Sequence, residues 1–180
     1  MKTLIEKIKK QVFEECSNPN FEHNTWYWEQ HIQPMLKIAL ELAAKYKIDK
    51  EFVELTVYLH DIAKIRGLEN HAEEGAKIAA SLLPEFNSKK LLLECIAKHN
   101  KSAITDPVEV KLIASADAVS HFLSQFFEIY IIENAGKPLE ELFASNIRKA
   151  DKDWKNILLP EAREMAKKAY KDIKITYGVK

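Results

Sequence analysis

Residues 57–64 read VYLHDIAK, an apolar run that is interrupted by a histidine, an aspartate and, one helical turn later, a lysine. A buried imidazole or carboxylate costs free energy unless it is paired, hydrogen-bonded or bound to a metal. Neighbouring helical residues point about 100° apart, so His60 and Asp61 can share one ion only if other helices supply further ligands. Imidazole nitrogen together with carboxylate oxygen suits Fe, Mn, Ni, Co or Zn. If this pair binds a metal, its further ligands must therefore come from polar residues elsewhere in the chain.

Two such residues lie on either side of this stretch. His31 lies upstream near Pro34, where a helix must begin or bend. Asp117 lies downstream in the apolar helical sequence IASADAV, and its carboxylate needs a partner. Taken singly, His31 can be a polar helix-end residue and Asp117 a core carboxylate bonded to a Ser or Tyr. Taken together with His60 and Asp61, they favour a metal site.

The remaining histidines are less decisive. His71 begins the next predicted helix, as a ligand or as a helix cap, and His99 ends the following one, as a ligand or as a packed side chain. His121 lies one turn after Asp117 and shares its face, so it is either a partner of that carboxylate or a packing residue. His23 is expected at the surface.

Apolar residues recur at helical spacing through almost the whole chain, and no two-residue alternation competes with that pattern. The sequence predicts an all-α protein, a compact bundle of about six to eight helices. We expect a single domain over residues 1–180, with a motif core over about 26–118 and a helical extension over about 136–180. Asp49 is expected to cap a helix that runs to about Ile65 and is closed by Gly67, and Asn70 with Glu73 resembles a capping box for a helix over 71–83. Ser88 is expected to open a helix to about His99. Asp106-Pro107 is expected to open a long helix to about Asn134.

The charges of the chain balance, with 27 Lys and Arg against 27 Asp and Glu. Proteins that grip a nucleic-acid backbone non-specifically usually carry a positive surplus, so the balance argues against polymeric nucleic acid as a partner. The charged N-terminal residues do not resemble a signal peptide, and no apolar run approaches the roughly 18 residues that span a bilayer. Cys16 and Cys95 are expected as reduced thiols. We therefore expect a cytoplasmic protein without a membrane partner.

Two other groups of residues have structural interpretations. The aromatic residues Phe21, Trp26, Tyr27 and Trp28 are expected to anchor helices on the core rather than to stack on bases. The charged run over residues 148–155 is expected to be a solvated helix surface.

The order His31, His60-Asp61, Asp117 resembles the HD-domain superfamily of metal-dependent phosphohydrolases, an all-helical family with an H, HD, D pattern. The resemblance covers roughly residues 26–118, and it extends to LHDIAK around the pair and to HAEEGAKIAA from His71 onward. It implies that His31, His60, Asp61 and Asp117 bind a first metal. In subfamilies with two metals, further histidines complete a second site, and His71 and His99 lie at matching positions. Those subfamilies often have two consecutive histidines where this chain has His99-Asn100.

The resemblance also implies a reaction. The expected activity is hydrolysis of a phosphate ester or anhydride in a small molecule, a nucleotide or dinucleotide above all, with one or two divalent ions, Mg included. Asp61 and Lys64 are the expected catalytic residues, because Asp61 can bridge ions or orient water and Lys64 can neutralise charge on the phosphoryl group. Arg66 is a weaker candidate for the role of Lys64. The alternatives are a non-hydrolytic nucleotide-binding regulatory module and a di-iron oxygenase, and a homodimer is compatible with the sequence.

Overall fold

The computed structural model describes residues 2–23 and 26–178, and these residues form helices and turns with no β-strand among them. The all-α prediction is therefore confirmed. A π-helical turn (Trp28–Ile32) leads directly into α2, and the α-helices are α1 (Lys2–Cys16), α2 (Gln33–Tyr46), α3 (Lys50–Leu59), α4 (Ile62–Ile65), α5 (His71–Leu82), α6 (Lys89–Lys98), α7 (Val108–Phe122), α8 (Phe126–Glu133), α9 (Leu139–Asn156) and α10 (Pro160–Tyr177).

Two breaks raise the number of helical segments above the expected six to eight. The helix that begins after Asp49 ends at Leu59, and the one-turn α4 resumes after the turn at His60 and Asp61. The long helix predicted to about Asn134 ends at Phe122, because the chain turns there and buries Phe127 against Phe122, with ring centroids 5.7 Å apart. The first break reshapes the centre of the motif.

The helix caps are partly as predicted. The Asp49 carboxylate accepts from the Phe52 amide at 2.8 Å, and Gly67 has the expected positive φ of 70°. The capping box at Asn70 is wrong: its backbone is left-handed, with φ 51°, and its side chain caps nothing. Asp106 is also not the cap of α7, because its carboxylate accepts from the Ala103 amide and from Lys98, each at 2.7 Å.

Helix α7 lies at the centre of the fold. It packs against α2, α6, α9 and α10, and residues 112–122 are all buried. A central helix contacted from several sides can present a polar residue to ligands from different parts of the chain. Asp117 occupies that position.

Helix α5 lies close to the turn between α3 and α4. A Cβ at Gly75 would meet the carbonyl oxygen of His60 at 3.3 Å and the side chain of Ile96 at 3.4 Å. Because glycine lacks that atom, α5 can approach the turn without displacing α6. This approach brings the beginning of α5, and with it His71, toward Asp61.

The charged run over residues 148–155 is not wholly solvated. Ala150 and Asp153 are buried on the inner face of α9, so the prediction of a solvated surface is wrong for these two residues. Asp153 tolerates burial because its carboxylate accepts from Lys149 at 2.6 Å. Cys16 and Cys95 are buried free thiols. Among the helices of the described ranges, none has the length and apolar character that crossing a membrane requires.

Candidate metal centre

The turn between α3 and α4 carries the central pair. His60 follows the last residue of α3, and its Nδ1 donates to the carbonyl oxygen of Val57 at 2.7 Å. A neutral imidazole that donates through Nδ1 keeps its lone pair on Nε2, the atom that can bind a metal. That Nε2 lies 3.4 Å from Asp61 Oδ2. Breaking the helix between α3 and α4 thus lets these adjacent residues face one another.

His31 reaches the same place from the π-helical turn. Pro34 lies in the first turn of α2, and the widened turn before it points His31 into the interior. Its Nδ1 lies 3.0 Å from Ser120 Oγ, whose hydroxyl donates to the carbonyl of Asp117, so Nδ1 donates to Ser120. The lone pair of His31 is then on Nε2, which lies 3.1 Å from His60 Nε2. Two lone pairs that face each other at this distance fit a cation or a shared proton.

Asp117 closes this part of the site from α7. Its Oδ1 lies 3.5 Å from His31 Nε2 and 3.9 Å from His60 Nε2. We call His31, His60 and Asp117, together with Asp61 Oδ2, the first half of the centre. The expected first-metal ligands are thus brought together by the π-helical turn, the α3–α4 turn and α7.

His71 and His99 meet the other oxygen of Asp61. His71 Nε2 lies 3.6 Å and His99 Nε2 3.3 Å from Asp61 Oδ1. The ring of His99 is held by its Nδ1, which donates to the carbonyl of Ile96 at 2.7 Å. The Asn100 amide lies 3.3 Å from His71 Nε2, so the residue after His99 also contacts this group. We call Asp61 Oδ1, His71 and His99 the second half of the centre.

A buried oxygen without a partner tests whether this arrangement fits a metal. Asp61 is only 3% exposed, and its Oδ1 has no hydrogen-bond partner among the described residues. An orphaned carboxylate oxygen is costly in the interior, yet this one faces two imidazole nitrogens. Three groups of ligand atoms are close enough to hold an ion: His31, His60 and Asp61; His31, Asp117 and His121; and Asp61, His71 and His99. The residues present therefore fit one or two divalent ions.

The charges of the first half point the same way. Burial would raise the pKa of Asp61, but the charges of His60 and Lys64 outweigh it and hold that pKa well below its usual value. Burial is likewise outweighed at Asp117, whose pKa neighbouring histidines lower. Burial lowers the pKa of His31 to about 3, so this ring is neutral. The two buried carboxylates are therefore ionised beside the neutral His31 ring, and a cation bound there would take the place of the positive charge of His60.

Lys64 and Tyr27 border the pair. Lys64 Nζ donates to the Tyr27 hydroxyl at 3.0 Å and lies 3.8 Å from Asp61 Oδ2, and the Tyr27 hydroxyl donates to that same oxygen. The sequence predicted an aromatic anchor, and Tyr27 is indeed fully buried, but its contact with Asp61 was missed. The missed signal is its position four residues before His31, on the same helical face. Arg66 is bound to Glu15 by two hydrogen bonds of 2.7 Å and does not contact the pair.

His121 extends the cluster on the side of Asp117. Its Nε2 lies 3.8 Å from Asp117 Oδ1, and its Nδ1 lies 3.0 Å from Asp153 Oδ2. Sequence reasoning included His121 as a partner of Asp117 and missed Asp153, because a contact across 32 residues leaves no local signal. His23 is half-buried rather than exposed, since its ring stacks on Tyr27 with centroids 5.5 Å apart.

No solved structure matches this chain. The HD domain family matches residues 28–121, more than half of the chain. The matched region begins in the π-helical turn that carries His31 and ends at His121, so it includes every residue of both halves of the centre. Members of this family bind divalent metals, in agreement with the buried histidine and aspartate cluster. The chain belongs to the HD domain family.

Proposed function

We propose that this protein is a metal-dependent phosphohydrolase that cleaves a phosphate ester or anhydride in a small molecule, a nucleotide or dinucleotide above all. The observation that carries the proposal is the position of Asp61. Its two oxygens face two different pairs of histidines, His31 with His60 and His71 with His99. A carboxylate between two ligand sets is the arrangement that holds a pair of ions a few ångströms apart.

The side chains of the centre have different roles in binding an ion and in orienting Asp61. A divalent ion bound there acts as a Lewis acid on a phosphoryl oxygen and lowers the pKa of coordinated water. His31, His60 and Asp117 are buried and would hold such an ion in one geometry. Asp61 would bridge the two ligand sets, while Tyr27 orients its Oδ2 by donating a hydrogen bond.

The exposed side chains indicate where the substrate approaches. Lys64 is 30% exposed and His71 34%, and the two lie near opposite oxygens of Asp61. A phosphoryl group that enters beside Asp61 therefore meets the Lys64 ammonium, which neutralises charge that develops on the phosphate oxygens. Because the Lys64 ammonium also donates to Tyr27, it is held within reach of that position.

The size of the neighbouring space favours a small substrate. Lys64 lines an open cleft of about 410 Å³, together with Phe21, Asn18 and Asn20. Clefts of about 300–1,000 Å³ are typical of small-molecule sites. This cleft offers two side-chain amides to a base or sugar, while the Phe21 ring is buried, and Glu15 and Glu22 also line it. The balance of 27 cationic against 27 acidic side chains also favours a small molecule over a nucleic-acid chain.

The test is phosphate release by the reconstituted protein. The chain is loaded without oxygen with Mn²⁺, Fe²⁺, Co²⁺, Ni²⁺ or Zn²⁺, and inorganic phosphate is measured with nucleoside mono-, di- and triphosphates and dinucleoside polyphosphates. We expect turnover with at least one substrate, and its loss in Asp61→Ala. Asp172→Ala is the control, because Asp172 is an exposed carboxylate of α10 that binds Lys168.

Three results would contradict the proposal. One is full activity in Asp61→Ala. Another is a nucleotide that raises the melting temperature in proportion to its concentration and is recovered intact, which identifies a binding module. The last is turnover that consumes oxygen at an iron pair, which identifies an oxygenase.

A further inference from the structure

A buried group of three polar residues lies next to the first half of the centre, outside the ligand set expected for it. His121 belongs to α7, whereas Lys149 and Asp153 belong to α9. His121 and Asp153 are 4% and 5% exposed. Lys149 Nζ donates to both oxygens of Asp153, at 2.6 and 2.8 Å, so the buried carboxylate is paired with a cation.

The hydrogen bond to Asp153 determines which nitrogen of His121 is free. A carboxylate with a lysine partner is charged and can only accept, so the contact of 3.0 Å is made by a proton on His121 Nδ1. Lys149 Nζ also lies 3.1 Å from this Nδ1, but the ammonium donates to the two oxygens of Asp153 at shorter distances. The lone pair of the ring is then on Nε2. Histidines that bind metals usually donate their other ring nitrogen to a carboxylate or a carbonyl, as His121 does here.

The free nitrogen of His121 points at another acceptor. Its Nε2 lies 3.8 Å from Asp117 Oδ1, too far for a direct hydrogen bond. Ligand atoms that are each about 2.1 Å from one ion lie no more than about 4.2 Å apart, so the pair can share an ion. The ring of His121 is also held in place by two neighbouring rings. It stacks on His31 with ring centroids 4.9 Å apart, and its centroid lies 4.0 Å from that of the Phe126 ring.

We propose that His121 is a further ligand of the ion in the first half, beside His31 and Asp117, and that Asp153 is the positioning residue that presents His121 Nε2 to it. Lys149 neutralises Asp153, so the pair orients the ring without adding net charge to the site. The proposal rests on the metal binding that the proposed function requires, and not on the reaction that follows.

The experiment measures metal binding directly. Co²⁺ affinity is determined by competition with a chelator, and X-ray absorption at the cobalt edge counts the imidazoles bound. His121→Phe keeps an aromatic ring in place but removes the ligand atom, and we expect it to lower the affinity of the first half by at least about 100-fold and to remove one imidazole. Asp153→Ala should lower the affinity by about 10–100-fold, the range found when partners of metal-bound histidines are removed.

A matched control lies on the same helix. Asp151 of α9 binds Lys174 and Tyr170 instead of a histidine, so Asp151→Ala should leave the cobalt affinity unchanged. If His121→Phe does not fold without metal, as judged by circular dichroism, the two aspartate variants decide the question. Affinity and imidazole count equal to the parent in His121→Phe, or equal losses in Asp153→Ala and Asp151→Ala, would overturn the proposal. A parent that binds cobalt as expected but releases no phosphate would instead overturn only the proposed hydrolysis.

Discussion

The two halves of the centre share Asp61 but differ in how their histidines are held. His31 and His60 are completely buried, and hydrogen bonds to Ser120 and to the Val57 carbonyl fix which nitrogen is free. In the second half, His99 is also buried and donates to the Ile96 carbonyl, but His71 is 34% exposed and its Nε2 has a side-chain amide, that of Asn100, as its hydrogen-bond partner. We therefore expect the first half, with two buried histidines of fixed tautomer, to bind an ion more tightly than the second half, which His71 leaves open to solvent and to substrate.

The origin of this difference lies in the elements that supply the ligands. The first half draws on the π-helical turn, the end of α3 and the central helix α7, all of which contribute to the core. The second half draws on the beginning of α5 and the residue after the end of α6. Of these positions, the beginning of α5 is the more exposed, so the His71 side chain is less constrained than those of His60 and His99.

Removing the His60 side chain should cause the largest loss of metal affinity. We expect His60→Ala to lower the affinity of the first half by more than about 100-fold, because the variant loses a ligand rather than a partner of a ligand. Isothermal titration with Mn²⁺ and elemental analysis measure the change. A variant that keeps full metal content would contradict the assignment of the first half as the tighter binding site. Circular dichroism serves as the control for folding.

Removing His71 should affect only the second half. We expect His71→Ala to lower the affinity of the weaker ion, which loses one of its ligands, while the tighter ion remains bound. The same titration then shows one tight site and the loss of the other. If the tight site disappears instead, the assignment of the exposed half as the weaker one is wrong.

Tyr27→Phe should lower turnover without removing an ion. The hydroxyl that it deletes lies between Lys64 and Asp61, and a hydrogen bond to a charged group contributes about 1.5–3 kcal/mol. We therefore expect kcat to fall at least about tenfold while metal content stays at the level of the parent. A change in metal content with unaltered kcat would place Tyr27 among the structural supports of the first half.

As the pH falls, the metal affinity of the first half should decrease before that of the second half. Burial would lower the pKa of His60, but the adjacent Asp61 charge outweighs it and raises that pKa above its usual value, so protons compete with metal at this ring early as the pH falls. Burial lowers the pKa of His71, whose lone pair stays free at lower pH. Affinity should fall as pH drops, by at most about tenfold per unit for one proton released. Mn²⁺ titrations between pH 8 and 6 test this order, and an earlier loss at the second half would contradict it.

Gly75→Val should have the smallest effect on binding. The added side chain presses against the His60 carbonyl and Ile96, which costs about 1–3 kcal/mol of unfolding free energy and moves the beginning of α5 away from Asp61. We expect a loss of several-fold in the affinity of the second half and little change in the first. Ser81→Val, on the exposed face of α5, is the control. Equal losses in both halves would show that Gly75 supports the turn rather than the placement of His71.

The all-helical class and the ligand types could be predicted from the sequence, because helical periodicity and the pairing demands of buried charge are local properties. His31, His60, Asp61 and Asp117 could be proposed as a group from their order along the chain. The break in the helix at His60 and Asp61 could not be predicted from the sequence, since the apolar pattern continues through these residues. The break lies where α5 packs against α4 and where Gly75 lies close to the His60 carbonyl.

Which atoms face one another was decided only by the tertiary structure. The sequence named Asp61 as a bridging candidate, but the division of its two oxygens between the halves requires helices from distant parts of the chain to meet at one turn. Asp153 contacts His121 in the same way, across 32 residues, although its own segment has the pattern of a solvated helix. Residue types and local periodicity are written in the sequence, whereas long-range contacts exist only once the chain has packed.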